Sequence, residues 1–329
     1  MTGRVSRSNA LVPPLEPFAM SNAAPRHAPL RLAAALVLGL ALIAPAEAEP
    51  ISVEHARGTT ELAAPPKTVV TFDLASLDTL DALGIPVAGV PVIAMPAYLA
   101  RYADDATPKI GSLFEPDFEA VNALQPDLVI VASRSAPQFE ALSRIAPVID
   151  LTLDPADTIG SAERNIRTLA GIFGKSPEAE TALARLDGSI ADLKAETAKA
   201  GRGLIVLATG NRMSAFGPGS RFGVLHSEFG VAPADPKLAT AIHGEAVSNE
   251  YILETNPDWL FVIDRDAAIG QGTAAALLDN ELVRGTTAWR KGQVVYLDPA
   301  RWYLAGGGLT ALQASVDQLA EAMKPKAGN

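Results

Sequence analysis

From Thr68 onwards, short apolar runs alternate with longer stretches in which apolar residues recur at helical spacing. Continuous apolar runs such as Thr68–Phe72 (TVVTF) and Leu128–Ala132 (LVIVA) predict buried strands, whereas the spacing in Leu74–Leu83 (LASLDTLDAL) predicts a helix. The same pattern predicts strands at Val87–Val90 and Val148–Leu151 and helices at Phe118–Leu124 and Phe139–Ile145. Strands that alternate with helices are typical of a parallel sheet covered on both faces.

A long helical region separates this pattern from a second α/β series. Two segments of helical period, Ile159–Phe173 and Glu178–Ala198, are interrupted only by the sequence GKSP. Beyond them the predicted elements are Leu204–Ala208, Tyr251–Thr255, Trp259–Ile263, Val294–Leu297 and a closing helix at Leu309–Met323. We therefore predict an α/β fold of two Rossmann-like lobes with parallel sheets, residues 49–157 and 200–329, joined by a long α-helix within the connecting segment 158–199.

The two lobes share a sequence repeat with an offset of 131 residues. The segment EAVNALQPDLVIV, which begins at Glu119, aligns without gaps with EYILETNPDWLFV, which begins at Glu250. The same offset places Arg134 over Arg265, each just beyond the carboxyl end of its predicted strand. Ligands of open α/β sheets bind beyond these strand ends. The matched arginines therefore predict an anion-binding cleft between the lobes, the alternative being that each pairs with a surface carboxylate.

Composition excludes several classes of protein. The chain has 329 residues, of which 48% are hydrophobic, so it has enough apolar material for a folded core. Its net charge of −10, without a run of Lys and Arg, argues against nucleic acid as a partner. The absence of Cys excludes disulfides, thiolate metal sites, a cysteine nucleophile and a lipidated cysteine.

Residues 1–48 have the layout of a secretory signal peptide. Arg26 and Arg31 precede an apolar run, Leu32–Ala44, and small residues at Ala46 and Ala48 suit a signal peptidase. We predict cleavage after Ala48, with Met20 as an alternative start of the chain. The apolar run is short for a membrane anchor and ends at a proline. The mature chain is therefore expected to be exported and soluble.

Three segments of the second lobe carry candidate binding residues. His243 lies among small residues in AIHGEAVS, where the alternative is a structural hydrogen bond. Tyr303 follows Trp302 in LDPARWYLAGGG, and the alternative for this aromatic pair is packing beneath the last helix. Tyr and His both ligate iron in proteins. Arg221 lies in a glycine-rich loop, GPGSRFG, which lacks the Lys and the spacing of a phosphate-binding loop.

These residues match a known family over nearly all of the mature chain. The segments LVIVASRSAP, HGEAVSNEYILETNPDWLFVIDR and LDPARWYLAGGG together resemble the periplasmic substrate-binding proteins of iron–siderophore ABC transporters, the helical-backbone class III. The resemblance is greatest to the branch that binds ferric catecholate siderophores, including petrobactin-like ligands. It implies a fold of two lobes around a cleft, a ferric siderophore as ligand and an inner-membrane permease dimer as partner.

The resemblance also implies roles for individual residues. In that branch a His and a Tyr can complete the iron coordination of a tetradentate siderophore, and those roles fall on His243 and Tyr303. An Arg triad faces the anionic complex, here Arg134, Arg221 and Arg265, and Trp302 is expected beside the ligand. A Glu on each lobe docks on the permease, for which Glu119 and Glu250 are the candidates. No permanent cofactor is implied, and Fe(III) enters only within the siderophore complex.

Other functions stay open on the sequence alone. Haem or cobalamin are alternative ligands for a binding protein of this kind. An exported α/β hydrolase is an alternative of another class, but the chain has no GxSxG motif and no distinctive pair of catalytic carboxylates. We therefore expect a monomeric binding protein in a Gram-negative periplasm, because Gram-positive members of the family are lipoproteins and this chain has no Cys.

Overall fold

The first sheet is parallel, with three strands in the order β3–β4–β5. Its elements are β3 (Val69–Thr71), α1 (Leu74–Ala82), α2 (Phe118–Leu124), β4 (Leu128–Val131), α3 (Phe139–Leu142) and β5 (Val148–Asp150). Every residue of the three strands is buried, as the continuous apolar runs predict. An antiparallel hairpin of β1 (Ile51–His55) and β2 (Gly58–Leu62) precedes this sheet and was not predicted.

This computed structural model describes residues 50–238, 241 and 243–324. All of them fall within one compact unit, Ala48–Asn329. The predicted signal peptide, residues 1–48 with the alternative start at Met20, lies outside the described residues. Of the helices in the described ranges, none has both the length and the apolar character needed to cross a membrane.

The second sheet is mixed, which corrects the prediction of parallel sheets in both lobes. Its strands are β6 (Arg202–Thr209), β7 (Arg212–Phe216), β8 (Ala232–Pro233), β9 (Glu245–Val247), β10 (Trp259–Asp264) and β11 (Val294–Leu297). Strands β8, β10 and β11 continue a parallel arrangement with β6, but β7 is antiparallel to β6 and β9. Only Gly210 and Asn211 link β6 to β7, with Gly210 at φ 55°, and so short a link permits only a hairpin.

The segment Val87–Val90 does not form the predicted strand. It makes only single bridges, from Gly89 to Val70 and from Val90 to Lys109. Pro86 and Pro91 bracket the segment, and proline cannot donate a backbone hydrogen bond to a neighbouring strand. Gly89 and Val90 are buried, Val87 and Ala88 are partly buried, and the segment hydrogen-bonds to β3 without forming a regular strand.

Two helices, not a single long one, form the connection between the sheets. They are α4 (Thr158–Ile172) and α5 (Ser176–Thr197), and the chain turns between them at Gly174, which has φ 65°. The short helices that follow are α6 (Val224–Ser227), α7 (Asn249–Thr255), α8 (Ala274–Leu278), α9 (Glu281–Arg284) and α10 (Thr287–Arg290). The last helix, α11 (Leu309–Met323), packs against α5 and also against α1 beside the first sheet. The largest apolar core accordingly includes residues from both sheets and from all of these long helices.

The repeated segment folds in the same way in both halves. Helices α2 and α7 each have seven residues, and each begins after a capping side chain, Asp117 or Ser248, that accepts a backbone N–H of the first turn. Each ends at a left-handed residue, Gln125 at φ 46° and Asn256 at φ 42°. The sequence repeat therefore corresponds to a structural unit, a capped seven-residue helix followed by a strand, which is β4 in the first half and β10 in the second.

An aspartate then fixes each of these strands to its neighbour. Asp127 Oδ2 accepts the backbone N–H groups of Lys67 and Thr68, each at 2.9 Å, just before β3. Asp258 Oδ2 accepts the N–H of Arg202 at 2.9 Å, at the start of β6. The aspartates set the register at the amino ends of the strands. Arg134 and Arg265 consequently emerge at equivalent places beyond the carboxyl ends.

Candidate ligand-binding site

Tyr303 lies at the centre of a cluster of arginines from both halves of the chain. It belongs to a π-helical turn, Ala300–Leu304, between β11 and α11. The guanidinium carbon atoms of Arg221, Arg134 and Arg265 lie 4.4, 4.9 and 5.9 Å from the centre of its ring. The structure thus brings the three predicted arginines together around the predicted tyrosine.

Two of these arginines also share one backbone oxygen. Arg134 Nη2 donates to the carbonyl of Tyr303 at 2.9 Å, and Arg221 Nη2 donates to it at 2.8 Å. Burial, followed by the charge of Arg134, lowers the pKa of Arg221 to about 10. Arg221 is still cationic at neutral pH, so the cluster concentrates positive charge that an anion would neutralise.

The arginines also act on the phenol of Tyr303. Burial raises the pKa of this side chain, but hydrogen bonding and charge from Arg134, together with the charges of Arg221 and Arg265, outweigh burial. The net result is a Tyr303 pKa below its ordinary value. A phenol of this kind loses its proton more readily than a free tyrosine, and the phenolate oxygen is a hard donor for a metal cation.

Local structure explains how Arg134 and Arg221 reach the cluster. Arg134 follows β4 in a turn that is held by a hydrogen bond from Ala132 N to Ser135 Oγ at 3.0 Å. Ser133 within this turn has φ 45°. Arg221 lies in the tight glycine-rich loop after β7, where Ser220 Oγ donates to the Gly217 carbonyl at 2.6 Å. The serine side chains in these two loops therefore stabilise the turns that carry Arg134 and Arg221.

Two adjoining cavities of about 560 and 530 Å³ meet at this cluster. Arg221, His243 and Tyr303 line both of them. Among the described residues that line the cavities, five arginines accompany one carboxylate, Asp73; the five are Arg134, Arg212, Arg221, Arg265 and Arg301. The chain as a whole carries a net charge of −10, so the excess of positive charge along these cavities is opposite in sign to that of the whole chain.

Of the three histidines beyond the predicted leader, His243 is the one that lines the cavities. It is exposed, in the turn just before β9. His55 Nε2 is instead paired with Thr60 Oγ1 at 2.9 Å, and His226 Nδ1 with the Val231 carbonyl at 2.8 Å. Burial lowers the pKa of His226. Within the described part of the chain, no three His, Asp or Glu side chains are arranged to hold a bare metal ion.

Trp302 lies in the wall of the first cavity but is largely buried. Only 6% of the residue is exposed, and its ring meets that of Phe229 edge to face at a centroid distance of 6.1 Å. This is the packing alternative that the sequence left open. Trp302 has little surface to offer a ligand, and its contact with one stays a prediction.

Gly307 and Gly308 allow close packing within the protein. A Cβ on Gly307 would lie 2.6 Å from Leu153 Cδ1, and one on Gly308 would lie 2.6 Å from the Asp78 carboxyl carbon. Asp78 of α1 accepts the backbone N–H groups of Thr310 and Ala311 at 2.7 and 3.0 Å. The first turn of α11 is therefore capped by a carboxylate from the first half of the chain.

Several cavity residues were not predicted from the sequence. Those with charged or exposed aromatic side chains are Asp73, Phe114, Arg212 and Arg301. Arg301 directly precedes the predicted Trp302 and Tyr303 in the sequence, and this position could have indicated that it lines the same cavity. Phe114 and Arg212 lie in a loop and at a strand end where periodicity gives no indication of function. Asp73 is the N-cap of α1, where its Oδ2 accepts from Ser76 N at 2.7 Å. An aspartate before a helix is expected for capping alone, so its sequence position gives no sign of a place in the cavity.

Glu119 and Glu250 occupy matched surface positions. Each is exposed and is the second residue of its helix, α2 or α7. A hydrogen bond with the Ser248 side chain lowers the pKa of Glu250. Both residues lie outside the described set that lines the cavities. They are therefore available to a partner on the outer surface, and that role stays a prediction.

The fold, with two sheets, a helical connection and a basic cleft between strand ends, is that of a binding protein. The chain matches the family described as "Periplasmic binding protein" over residues 69–300, and it belongs to that family. The expected family and its class of fold are thereby confirmed.

Named relatives share most of their length with this chain. It is 42% identical over 282 residues to "Petrobactin-binding protein YclQ" of Bacillus subtilis, covering 84% of this chain and 89% of YclQ. The crystal structure of YclQ has a TM-score of 0.82 and covers 85% of this chain and 100% of its own. "Ferric-anguibactin-binding protein FatB" of Vibrio anguillarum is 33% identical, covering 82% of this chain and 86% of FatB. The catecholate-siderophore binding protein VctP of Vibrio cholerae is 32% identical, with a TM-score of 0.80 and coverage of 83% and 100%.

Proposed function

We propose that this protein captures a ferric catecholate-type siderophore for an iron–siderophore ABC transporter. The observation that carries the proposal is the cluster of Arg134, Arg221 and Arg265 around Tyr303. A ferric catecholate is a rigid, aromatic complex with net negative charge, which fits a basic cavity. The names of YclQ, FatB and VctP, each of which refers to a siderophore, support the same ligand class.

The cleft also contains donors that suit the iron itself, which here is part of the substrate. A tetradentate bis-catecholate leaves two positions of an octahedral ferric ion open. We assign these positions to the Tyr303 phenolate and the His243 imidazole, because both line the two cavities where they meet. The arginines lower the pKa of Tyr303, which favours the phenolate that binds iron. No permanent cofactor is needed for this role.

Delivery requires a second surface. Glu119 and Glu250 begin equivalent helices in the two halves, so they present two similar negative points to a permease dimer of two-fold symmetry. We place the protein as a monomer in a Gram-negative periplasm after removal of residues 1–48. Because this chain has no Cys, a lipid anchor of the kind attached to cysteine is not available.

A ligand panel tests the proposal. Purified mature protein is mixed with a ferric bis-catecholate, haem or cobalamin and is then desalted. We expect the ferric catecholate chromophore to be retained and Trp302 fluorescence to be quenched, because Trp302 lies in the cavity wall. Retention of haem or cobalamin alone would contradict the assignment. Hydrolysis of a model ester by the protein would favour the enzyme alternative.

A further inference from the structure

Phe114 is an aromatic side chain that the fold holds exposed at the cleft. The residue is 59% exposed and lines the larger cavity together with Arg134 and Tyr303. Exposure of a phenylalanine forgoes the stabilisation that its burial would give. Phe118 provides a comparison, since it is 40% exposed but is not among the described residues that line either cavity.

The loop that carries Phe114 is closely hydrogen-bonded. Ser112 Oγ accepts the N–H groups of Phe114 and Glu115 at 3.2 and 3.0 Å, and Ser112 N donates to the Glu115 carbonyl at 2.9 Å. Asp117 N donates to the Ile110 carbonyl at 2.9 Å, which closes the base of the loop. These bonds hold the loop in one tight turn, so the position of Phe114 is determined by its backbone.

Two further contacts fix this loop against its surroundings. Gln138 Nε2 donates to the Phe114 carbonyl at 3.1 Å, and Val92 N donates to the Gly111 carbonyl at 2.7 Å. Gly111 has φ 96°, and a Cβ there would lie 2.3 Å from Asp117 N, so this turn requires glycine. A loop whose backbone is held this firmly loses little conformational entropy when a ligand covers its side chain, which favours binding.

The aromatic residues around the cavity differ in what they can offer. Trp302 is 6% exposed, Phe222 is 2% exposed and Phe229 is 1% exposed, so each mainly supports the wall. Phe114, in contrast, is 59% exposed and lines the cavity, so its ring is accessible to a ligand. A flat, electron-rich ring of the ligand would gain both apolar contact and stacking on such a face.

We infer that Phe114 is a specificity-determining residue that packs against an aromatic ring of the bound siderophore. The inference rests on the proposed function and extends it, because it assigns the catecholate ring, and not only the charge or the iron, to a named side chain. The arginines would recognise any anionic ferric complex. Phe114 favours those complexes that carry aromatic rings.

Titrations of purified mature variants with one ferric bis-catecholate test this assignment. For Phe114→Ala we expect Kd to rise about tenfold or more, equivalent to about 1.4 kcal/mol or more. Phe114→Leu keeps apolar area without the ring face and should give a smaller loss, whereas Phe114→Tyr should bind like the wild type. The matched control Phe118→Ala should leave Kd unchanged, because that ring lies outside the cavities.

The two proposals fail in different ways. If the wild type does not bind the ferric bis-catecholate at all, the proposed function is wrong. If the wild type binds and Phe114→Ala has the same Kd, the assignment of Phe114 is wrong. Unchanged Kd with reduced uptake in cells would place Phe114 at the permease instead, which would also overturn the inference.

Discussion

Arg134 and Tyr303 lie 169 residues apart in the chain and meet across the cleft. Arg134 Nη2 donates to the Tyr303 carbonyl at 2.9 Å, while its guanidinium carbon lies 4.9 Å from the centre of the Tyr303 ring. One residue follows the central strand of the first sheet, and the other precedes the last helix. Their contact therefore joins the two halves at the place where a ligand would bind, and it also contributes to the lowered pKa of the phenol.

The first prediction concerns charge recognition. Arg134→Ala and Arg265→Ala should each weaken binding of a ferric catecholate by about 1–3 kcal/mol, the range for charge-assisted hydrogen bonds. Arg284→Ala is the control, because Arg284 pairs with Asp279 on the exposed surface. Equilibrium titration of the three variants with the ferric catecholate measures the change in affinity. Equal affinities for all three would remove these arginines from the binding site.

The second prediction concerns iron coordination. Tyr303→Phe and His243→Ala should strongly weaken binding of a tetradentate ferric siderophore, because each variant lacks one metal donor. A hexadentate siderophore fills all the iron positions itself and should be affected little. Tyr303→Phe should also shift the charge-transfer absorption of the bound tetradentate complex. Similar losses for both ligands, with an unaltered spectrum, would mean that these residues shape the cavity without contacting iron.

The third prediction concerns transport. Glu119→Lys and Glu250→Lys should each reduce siderophore uptake in cells while leaving the Kd of the purified protein unchanged, since both residues lie outside the cavity linings. Glu140→Lys, at another exposed position, serves as the control for a change of net charge. Normal uptake by the Glu119→Lys/Glu250→Lys double variant would show that the permease docks elsewhere.

The fourth prediction concerns stability and pH. Burial raises the pKa of Asp78 from 3.8 to about 6, although the amides of Thr310 and Ala311 oppose this. The folded protein therefore binds more protons than the unfolded chain between these two values, and the free energy of unfolding contributed by Asp78 falls as pH rises through that window. The expected fall is about 3 kcal/mol between about pH 4 and pH 7.

Urea unfolding of the wild type and of Asp78→Asn over this pH range measures the effect. The variant keeps a polar side chain of similar shape but does not titrate. The difference between the two free energies of unfolding should change by the expected amount between about pH 4 and pH 7 and stay constant above pH 7. Parallel pH profiles would mean that Asp78 does not titrate differently in the folded state.

Much of the fold was readable from local pattern. The strands at Val69–Thr71, Leu128–Val131 and Trp259–Asp264 are built on continuous runs of mainly apolar residues, and such runs are buried whichever neighbours they pair with. The repeat was equally visible, because caps and turns depend on residues close in sequence, such as Asp117 and Gln125. The arginines at the strand ends followed from this local geometry.

Other elements could not be predicted because they depend on partners distant in the chain. Half of the strand positions in the hairpin of β1 and β2 are exposed and only two are buried, so its pattern is weak. Its place depends on contacts such as that of Arg57 with Asp150. Val87–Val90 has the apolar character of a strand but lies between prolines that restrict pairing. In both cases the local sequence does not determine whether the segment forms a strand, because this depends on the segments that pack against it.

The amino-acid sequence by itself determined the α/β class, the repeat, the family and the arginines and tyrosine that meet at the cleft. Only the tertiary structure decided that Trp302 is buried while Phe114 is exposed, and that Asp78 caps a helix more than two hundred residues later. The physical reason is that local pattern records which side chains favour burial or a cap. Which surfaces cover them is determined by packing between elements that the chain brings together from a distance.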